Sequence, residues 1–427
     1  MDSPITAVEL PAPLCLAKLF KMAFDGGDLR PLRDQILTQK HSNAGCAAST
    51  LISLSTIEQL LGDQPSGLNY QAEALSLHRL YRSAWPTSTN ALRVLAFKAP
   101  GDVSTNTPIE FLLEGSDVVL YSLYVVPGQP VPEVPDHDIA IVTVGESDRD
   151  RPIIEEIERL VQTWLCPVLN RPEKVLQLSR EGMYRLLRNV PGVVVPPTVR
   201  INRAEFERLD QGLLAGARFD GHEAFPLIAR PVGSHAGRGL MKLDSGRSVD
   251  NYLAAQPDAE FFISPFVDFR SADGQFRKYR VVWVDGRPYP CHMAIADQWK
   301  VWYYNAEMDA SPYKRVEEKQ FMSAFDTGFA HSHANALASM AERFSLEYVG
   351  IDCGELPDGR LIVFEGDISM VVHNMDQQAL YPYKGPATRK LFAAFREMLE
   401  RKSIRGSMSG SSEHRVLPNE CRALNCR

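Results

Sequence analysis

The chain has 427 residues, 44% hydrophobic and 23% charged, with a formal net charge of −7. That length is enough for two or three domains with their own cores, and the composition is that of a globular protein. The acidic balance excludes a general nucleic-acid or membrane-surface binder.

No apolar run reaches transmembrane length, and Met1-Asp-Ser-Pro-Ile-Thr lacks the basic and apolar regions of a secretory leader. Cys15, Cys46, Cys166, Cys291, Cys353, Cys421 and Cys426 show no C-x₂-C spacing. They read as reduced thiols, so a cytoplasmic location is expected.

Residues 1–90 read as a helical module. Leu14 to Phe24, Leu32 to Leu37, Thr50 to Leu61 and Tyr70 to Tyr81 carry apolar residues at helical spacing. Gly67 to Tyr81 resembles the second helix of a tetratricopeptide-like pair, although three repeats are not present. A helical cap or a dimer-forming domain, and hence a homodimer, is expected. From residue 91 the pattern changes to short apolar strands, Leu92 to Phe97, Val118 to Val125 and Ile139 to Val144. An amphipathic helix, Arg151 to Trp164, follows. Alternation of this kind indicates a parallel α/β lobe over 91–190. A second α/β unit is expected over 191–402, with helices at Ala330 to Arg343 and Ala387 to Lys402. Ser407 to Ser412 reads as a linker opening a flexible tail, 403–427.

Two motifs carry chemistry. Phe225-Pro-Leu-Ile-Ala-Arg-Pro-Val232 is an expected strand with a basic residue, and it runs into Gly233-Ser-His-Ala-Gly-Arg-Gly239. Glycines let backbone N–H groups close around phosphate oxygens, and Arg230 can offset phosphate charge. The Gly-Lys-Ser/Thr ending of a Walker A loop is missing. Leu240-Met-Lys-Leu reads as a strand, which argues against a dinucleotide fingerprint. A glycine flap between two strands is expected. Further on, Val349 to Cys353 and Leu361 to Phe364 flank Pro357-Asp-Gly, a hairpin signal. Asp352 lies on one strand, and Glu365 and Asp367 share a face of the other. Three carboxylates on one face call for cations, and oxygen-only ligands suit Mg²⁺ bound together with substrate phosphates. Cys353 points to the opposite face.

In the order and spacing of these motifs, over roughly residues 140–400, the chain resembles the ATP-grasp enzymes. That group includes RimK-like peptide ligases, glutathione synthetase and D-alanine–D-alanine ligase. The resemblance implies an α/β (α+β) ATP-grasp fold with a Rossmann-like N-terminal lobe, to which this chain adds the helical module. It implies ATP held by Lys174, Arg230, the flap residues Ser234, Ala236, Gly237 and Gly239, and the hinge residues Ile263, Phe266 and Val267. Arg280 would reach the transferred phosphate, with His235 and Asn305 as further catalytic candidates. Asp352, Glu365 and Asp367 would hold Mg²⁺, expected as two ions, with Mn²⁺ as an alternative. Arg230 stands for the usual lysine, Pro265 for an acid beside the adenine, and Asp367 for an asparagine; the Arg-x-Asn pattern around Asn305 is absent.

The implied activity is an ADP-forming carboxylate–amine ligase working through an acyl phosphate on small-molecule or peptide substrates. Phosphoryl transfer without amide formation, and a nucleotide-binding scaffold, are the alternatives. Tyr289, His292, Asp297, Gln298, Trp299, Lys300, Tyr303 and Tyr304 lie where the second substrate is expected. His292 reads either as a general base or as a structural hydrogen-bonder. Met370-Val-Val-His-Asn-Met-Asp376 implies an acceptor pocket of its own kind.

Overall fold

The computed structural model describes residues 10–40, 47–85, 87–208, 225–234 and 237–405. The expectations for His235, Ala236 and the tail beyond residue 405 lie outside them. Four helices come first: α1 (Leu16–Phe24), α2 (Arg30–Lys40), α3 (Ala47–Leu60) and α4 (Gln64–Leu77). Asp63 caps α4 by accepting from Ser66 N at 3.1 Å. Helix four ends at Leu77, earlier than the expected Tyr81, because β1 (Leu80–Arg82) pairs antiparallel with β3 at the edge of the first sheet.

That sheet has the order β1-β3-β2-β4-β5, with β2 (Leu92–Lys98), β3 (Val118–Tyr124), β4 (Ile139–Val142) and β5 (Val168–Leu169) parallel. Val94, Leu95, Ala96 and Phe97 are all fully buried, as suits a parallel strand covered on both faces. Between β3 and β4 lie no helices, whereas α5 (Ile109–Leu112) separates β2 from β3. Helix α6 (Arg151–Val161) buries Ile154, Ile157 and Val161 against this sheet, which is the face its spacing predicts. Two short helices follow, α7 (Pro172–Val175) and α8 (Arg180–Leu187); Ser179 caps α8 through Gly182 N at 3.1 Å.

The second sheet is antiparallel, in the order β7-β10-β8-β9: β7 (Val199–Asn202), β8 (Leu227–Pro231), β9 (Met241–Leu243) and β10 (Glu260–Pro265). Strands β8 and β9 form the two arms of the glycine flap, as expected. The third sheet has the order β12-β11-β13-β14-β6, formed by β6 (Val193–Val194), β11 (Phe276–Val284), β12 (Arg287–Ala296), β13 (Tyr348–Glu355) and β14 (Leu361–Asp367). The β13–β14 hairpin turns at Gly359, whose φ of +83° suits glycine. Bulges fall at Cys291, between the Arg280–His292 and Val281–Pro290 pairs, and at Phe364, between the Asp352–Glu365 and Cys353–Val363 pairs.

The first and third sheets share a core: Phe97 and Val142 belong to the same buried cluster as Trp283, Val349 and Cys353. The helical module is docked rather than separate. Gln71 exchanges hydrogen bonds with the Gly101 backbone at 2.9 and 2.7 Å. Ala17 of α1 packs with Phe111 and with Met375, just beyond β14. Phe24 lies 5.5 Å from the His373 ring. Among the described residues, no helix is long and apolar enough to cross a membrane.

Candidate functional site

Register builds the site. His292 on β12 pairs with Arg280 on β11, Arg280 with Asp352 on β13, and Asp352 with Glu365 on β14. Directly paired residues share a face, so four polar side chains form a line across four strands. Cys353 is buried on the other face, as expected. Lys278, two residues before Arg280, joins the same face from one side. Asp367, two residues after Glu365, joins it from the other.

Asp352 is enclosed. Its oxygens accept from Lys278 Nζ at 2.8 Å, Arg280 Nε at 2.8 Å and Arg280 Nη2 at 3.1 Å. Only 2% of its side chain is exposed. Burial alone would raise its carboxyl, but Arg280 and Lys278 outweigh burial and hold it well below the usual carboxylate range. Arg280 also reaches Val371 O at 3.3 Å. Glu365 is more open, with 40% of its side chain exposed and one oxygen 2.9 Å from Arg180 Nη2. Burial opposes its charge too, and Arg180, Arg230 and Lys278 together keep its carboxyl below the ordinary value. Asp367 accepts from the Ser369 N–H at 3.0 Å and the Ser369 hydroxyl at 2.7 Å.

Arg230, on β8, is buried. Its Nε donates to Ser234 Oγ at 3.1 Å and its Nη2 to Ser234 O, while Ser234 Oγ donates to Pro231 O at 2.7 Å. Burial, with the like charge of Arg180, pushes Arg230 down to about 9. Gly237 and Gly239 have φ of +71° and +63°. A Cβ at Gly239 would stand 2.6 Å from the Pro231 ring. Lys300 Nζ donates to Gly237 O at 2.8 Å, tying the flap to the segment after β12. Phe266 has Lys242 Nζ 4.6 Å from its ring centroid. Val267 is half-buried, and the Ile263 side chain belongs to the core of the flap sheet, on a strand paired on both sides. The side chain of Lys174, half-buried on α7, has no hydrogen-bond or ion-pair partner among the described residues.

Two of the expected site groups stand apart from a simple cluster. Asn305 is exposed at the end of a 3₁₀ turn, and its amide serves that turn: Oδ1 accepts from Trp302 N at 2.9 Å and Nδ2 donates to Lys300 O at 3.1 Å. Its polar groups are spent on local backbone and do not join the row. Asp352, Glu365 and Asp367 share a face without forming one tight cluster. No group of three or more His, Cys, Asp or Glu side chains converges for a metal ion among the described residues. The physical reason is that two fixed cations already occupy Asp352. Glu365 and Asp367, two apart on one face, are oxygen donors of the kind that a divalent ion shares with substrate oxygens.

Three participants were missed by sequence reasoning. Lys278 was visible as a basic residue of the same strand parity as Arg280. Arg180 follows a helix cap and carries no motif. Glu146 is raised to about 7 by burial, with Asp148 and Asp367 adding to the rise and Arg151 and Arg180 opposing it.

No protein-family model and no curated protein matches the chain. Among solved structures it is similar to a RimK domain ATP-grasp protein from Sphaerobacter thermophilus, at 14% identity and TM-score 0.42, covering 72% of this chain and 99% of that one. It is similar to the VanG D-Ala:D-Ser ligase from Enterococcus faecalis, at 12% identity and TM-score 0.45, covering 73% and 100%. The D-alanine–D-alanine ligase from Coxiella burnetii is matched at 9% identity and TM-score 0.44, covering 74% and 97%. At these identities and scores the likeness carries no functional weight; the row and its charges do.

Proposed function

We propose that the chain is an ATP-grasp ligase that joins a carboxylate to an amine, forming ADP through an acyl phosphate. The observation that carries this reading is a charge imbalance. Lys278, Arg280, Arg180 and Arg230 surround Asp352 and Glu365, leaving a formal surplus of two positive charges; counting Asp367 still leaves one, because the nearby Glu146 is paired with Arg151. Partly buried cations without matching anions are costly, and a polyphosphate at the mouth of the flap would match them.

In this reading ATP lies between the flap sheet and the row-bearing sheet. Lys174, Arg230, Ser234, Gly237 and Gly239 meet its phosphates, and the backbone near Ile263, with Phe266 and Val267, borders the base. Magnesium, held by Glu365 and Asp367, would offset charge on the phosphate oxygens; the donors support one ion rather than two. The substrate carboxylate attacks the γ-phosphorus, and ADP leaves. Arg280, fixed by Asp352, and Lys278 stabilise the transferred phosphoryl group. An amine then attacks the acyl carbon and releases inorganic phosphate. The flap excludes water, which would otherwise hydrolyse the acyl phosphate.

Hydroxylamine trapping tests this. Supply Mg-ATP, hydroxylamine and each of the common L-amino acids or D-alanine as the acid, and read ADP and hydroxamate. Hydroxamate with stoichiometric ADP is expected for at least one acid. Absence of both Mg-ATP binding and ADP release overturns the reading, and ADP without hydroxamate replaces it with simple phosphoryl transfer.

A further inference from the structure

We propose that His292 is the catalytic residue that takes the proton from the attacking amine; the proposal rests on the ligase reading above. His292 stands directly beside Arg280 in the row, so it borders the place where the acyl phosphate would form. Its half-buried ring lies 5.1 Å from the Tyr303 ring. Its Nδ1 has only the Cys291 sulfur, at 3.9 Å, and the ring has no oxygen or nitrogen partner among the described residues.

A histidine kept for structure spends its ring nitrogens on hydrogen bonds. Two others in this chain do so. His137 Nδ1 lies 2.9 Å from Pro135 O and its Nε2 accepts from Trp164 Nε1 at 2.9 Å. His373 Nδ1 accepts from Met375 N at 3.2 Å, next to Asp376. His292 is left open on the reactive face.

The groups facing it are Arg280 and Lys278 on β11, Asp352 on β13, Tyr303 on the 3₁₀ turn, Lys384 on the C-terminal helix, and Cys291 beside it. Burial first, then Arg280, Lys384 and Lys278, hold its pKa well below 6.5, against Asp352, so the ring is neutral and able to accept at pH 7. A bound phosphate offsets Arg280 and Lys278 and returns basicity to the ring when the acyl phosphate is in place.

The step balances as follows. The substrate ammonium gives one proton to the ring, and the freed lone pair bonds the acyl carbon. The C–O bond to phosphate breaks, phosphate keeps that electron pair, and it carries away the second nitrogen proton. Imidazolium then returns its proton to water.

The test uses the full-length protein, Mg-ATP, one acid active in the trapping assay, and two nucleophiles. Glycine arrives protonated; hydroxylamine is already unprotonated at neutral pH. In His292→Gln and His292→Asn, amide formation with glycine is expected to fall roughly 10²- to 10⁴-fold. Hydroxamate formation should fall less than about tenfold. Equal loss with both nucleophiles, or an unchanged glycine rate in either variant, overturns the proposal. Ring ¹⁵N shifts of His292 in the wild type give a readout independent of substitution: a neutral ring at pH 7 is expected, and a charged one overturns it. If the wild type releases no ADP with any acid, the ligase reading falls first.

Discussion

Two arginines face the same cleft from different sheets and are held in opposite ways. On the flap-bearing sheet, Arg230 rests on a hydroxyl and a carbonyl, both neutral and both from Ser234. On the row-bearing sheet, Arg280 rests on the carboxylate of Asp352. Arg280 is therefore a fixed part of the fold, its charge matched before any ligand arrives. Arg230 keeps an unmatched charge under burial, which is destabilising alone and favourable with an anion. Arg230 is left for a ligand to match, whereas Arg280 already has its carboxylate.

Removing Asp352 attacks the second half of that comparison hardest. Asp352→Ala leaves Lys278 and Arg280 without their partner, and breaking such a buried pair costs about 3–5 kcal/mol. Urea unfolding at pH 7 should read that loss; a change under about 1 kcal/mol would mean the pair is solvated. The sign with pH is set by the lowered carboxyl. Its contribution is present above the unfolded value of 3.8 and is lost as pH falls toward the lower folded value. The gap between wild type and variant should therefore narrow in acid.

Glu365→Gln removes charge at the open end of the row. Its partner Arg180 is partly exposed, so stability should hardly change, while turnover falls roughly 10²-fold, about 2.7 kcal/mol of barrier. ADP release and melting, measured together, decide it; wild-type turnover in a folded variant would remove Glu365 from the chemistry. Arg230→Met inverts the logic of Asp352→Ala. Melting should hold or rise, and Mg-ATP affinity should fall by about 1.5–3 kcal/mol, the worth of charge-assisted hydrogen bonds. Calorimetric titration reads it; a drop in stability without loss of affinity would make Arg230 structural. Smallest is Gly239→Ala. A φ of +63° costs a residue with a Cβ about 1–2 kcal/mol, and the Pro231 contact adds to it. Hydrogen exchange across the flap should show that loss locally and leave β13 and β14 protected.

Much of this was legible because it is local. Period, Gly359 and Pro357-Asp-Gly mark the β13–β14 hairpin, and Gly233, Gly237 and Gly239 between two apolar runs mark the flap. The row was not legible, since aligning His292 with Glu365 needs three strand registers at once, and no single stretch encodes them. The Asn305 amide serves its own turn, because a side-chain amide three to five residues from backbone groups satisfies them first. The first ninety residues make contacts beyond themselves at α1, whose Ala17, Phe20 and Phe24 find partners at Phe111, Met375 and His373. Apolar spacing shows that a helix has a face to bury and is silent on what covers it.

The bulges at Cys291 and Phe364 give the site a parity. Val363 and Glu365 are two apart, yet one points into the core and the other into the cleft, because Phe364 is the uncounted residue between them. Pro290 and His292 stand in the same relation around Cys291. Which face is reactive is thus stored in residue counts as well as residue types. Deleting Phe364 should straighten the strand and keep Glu365 opposite Asp352. Deleting Gly366 should instead turn Asp367 away from that face. Changes of length by one residue are therefore the mutations to which this face is most exposed, and its chemistry could be lost with every one of its own side chains intact.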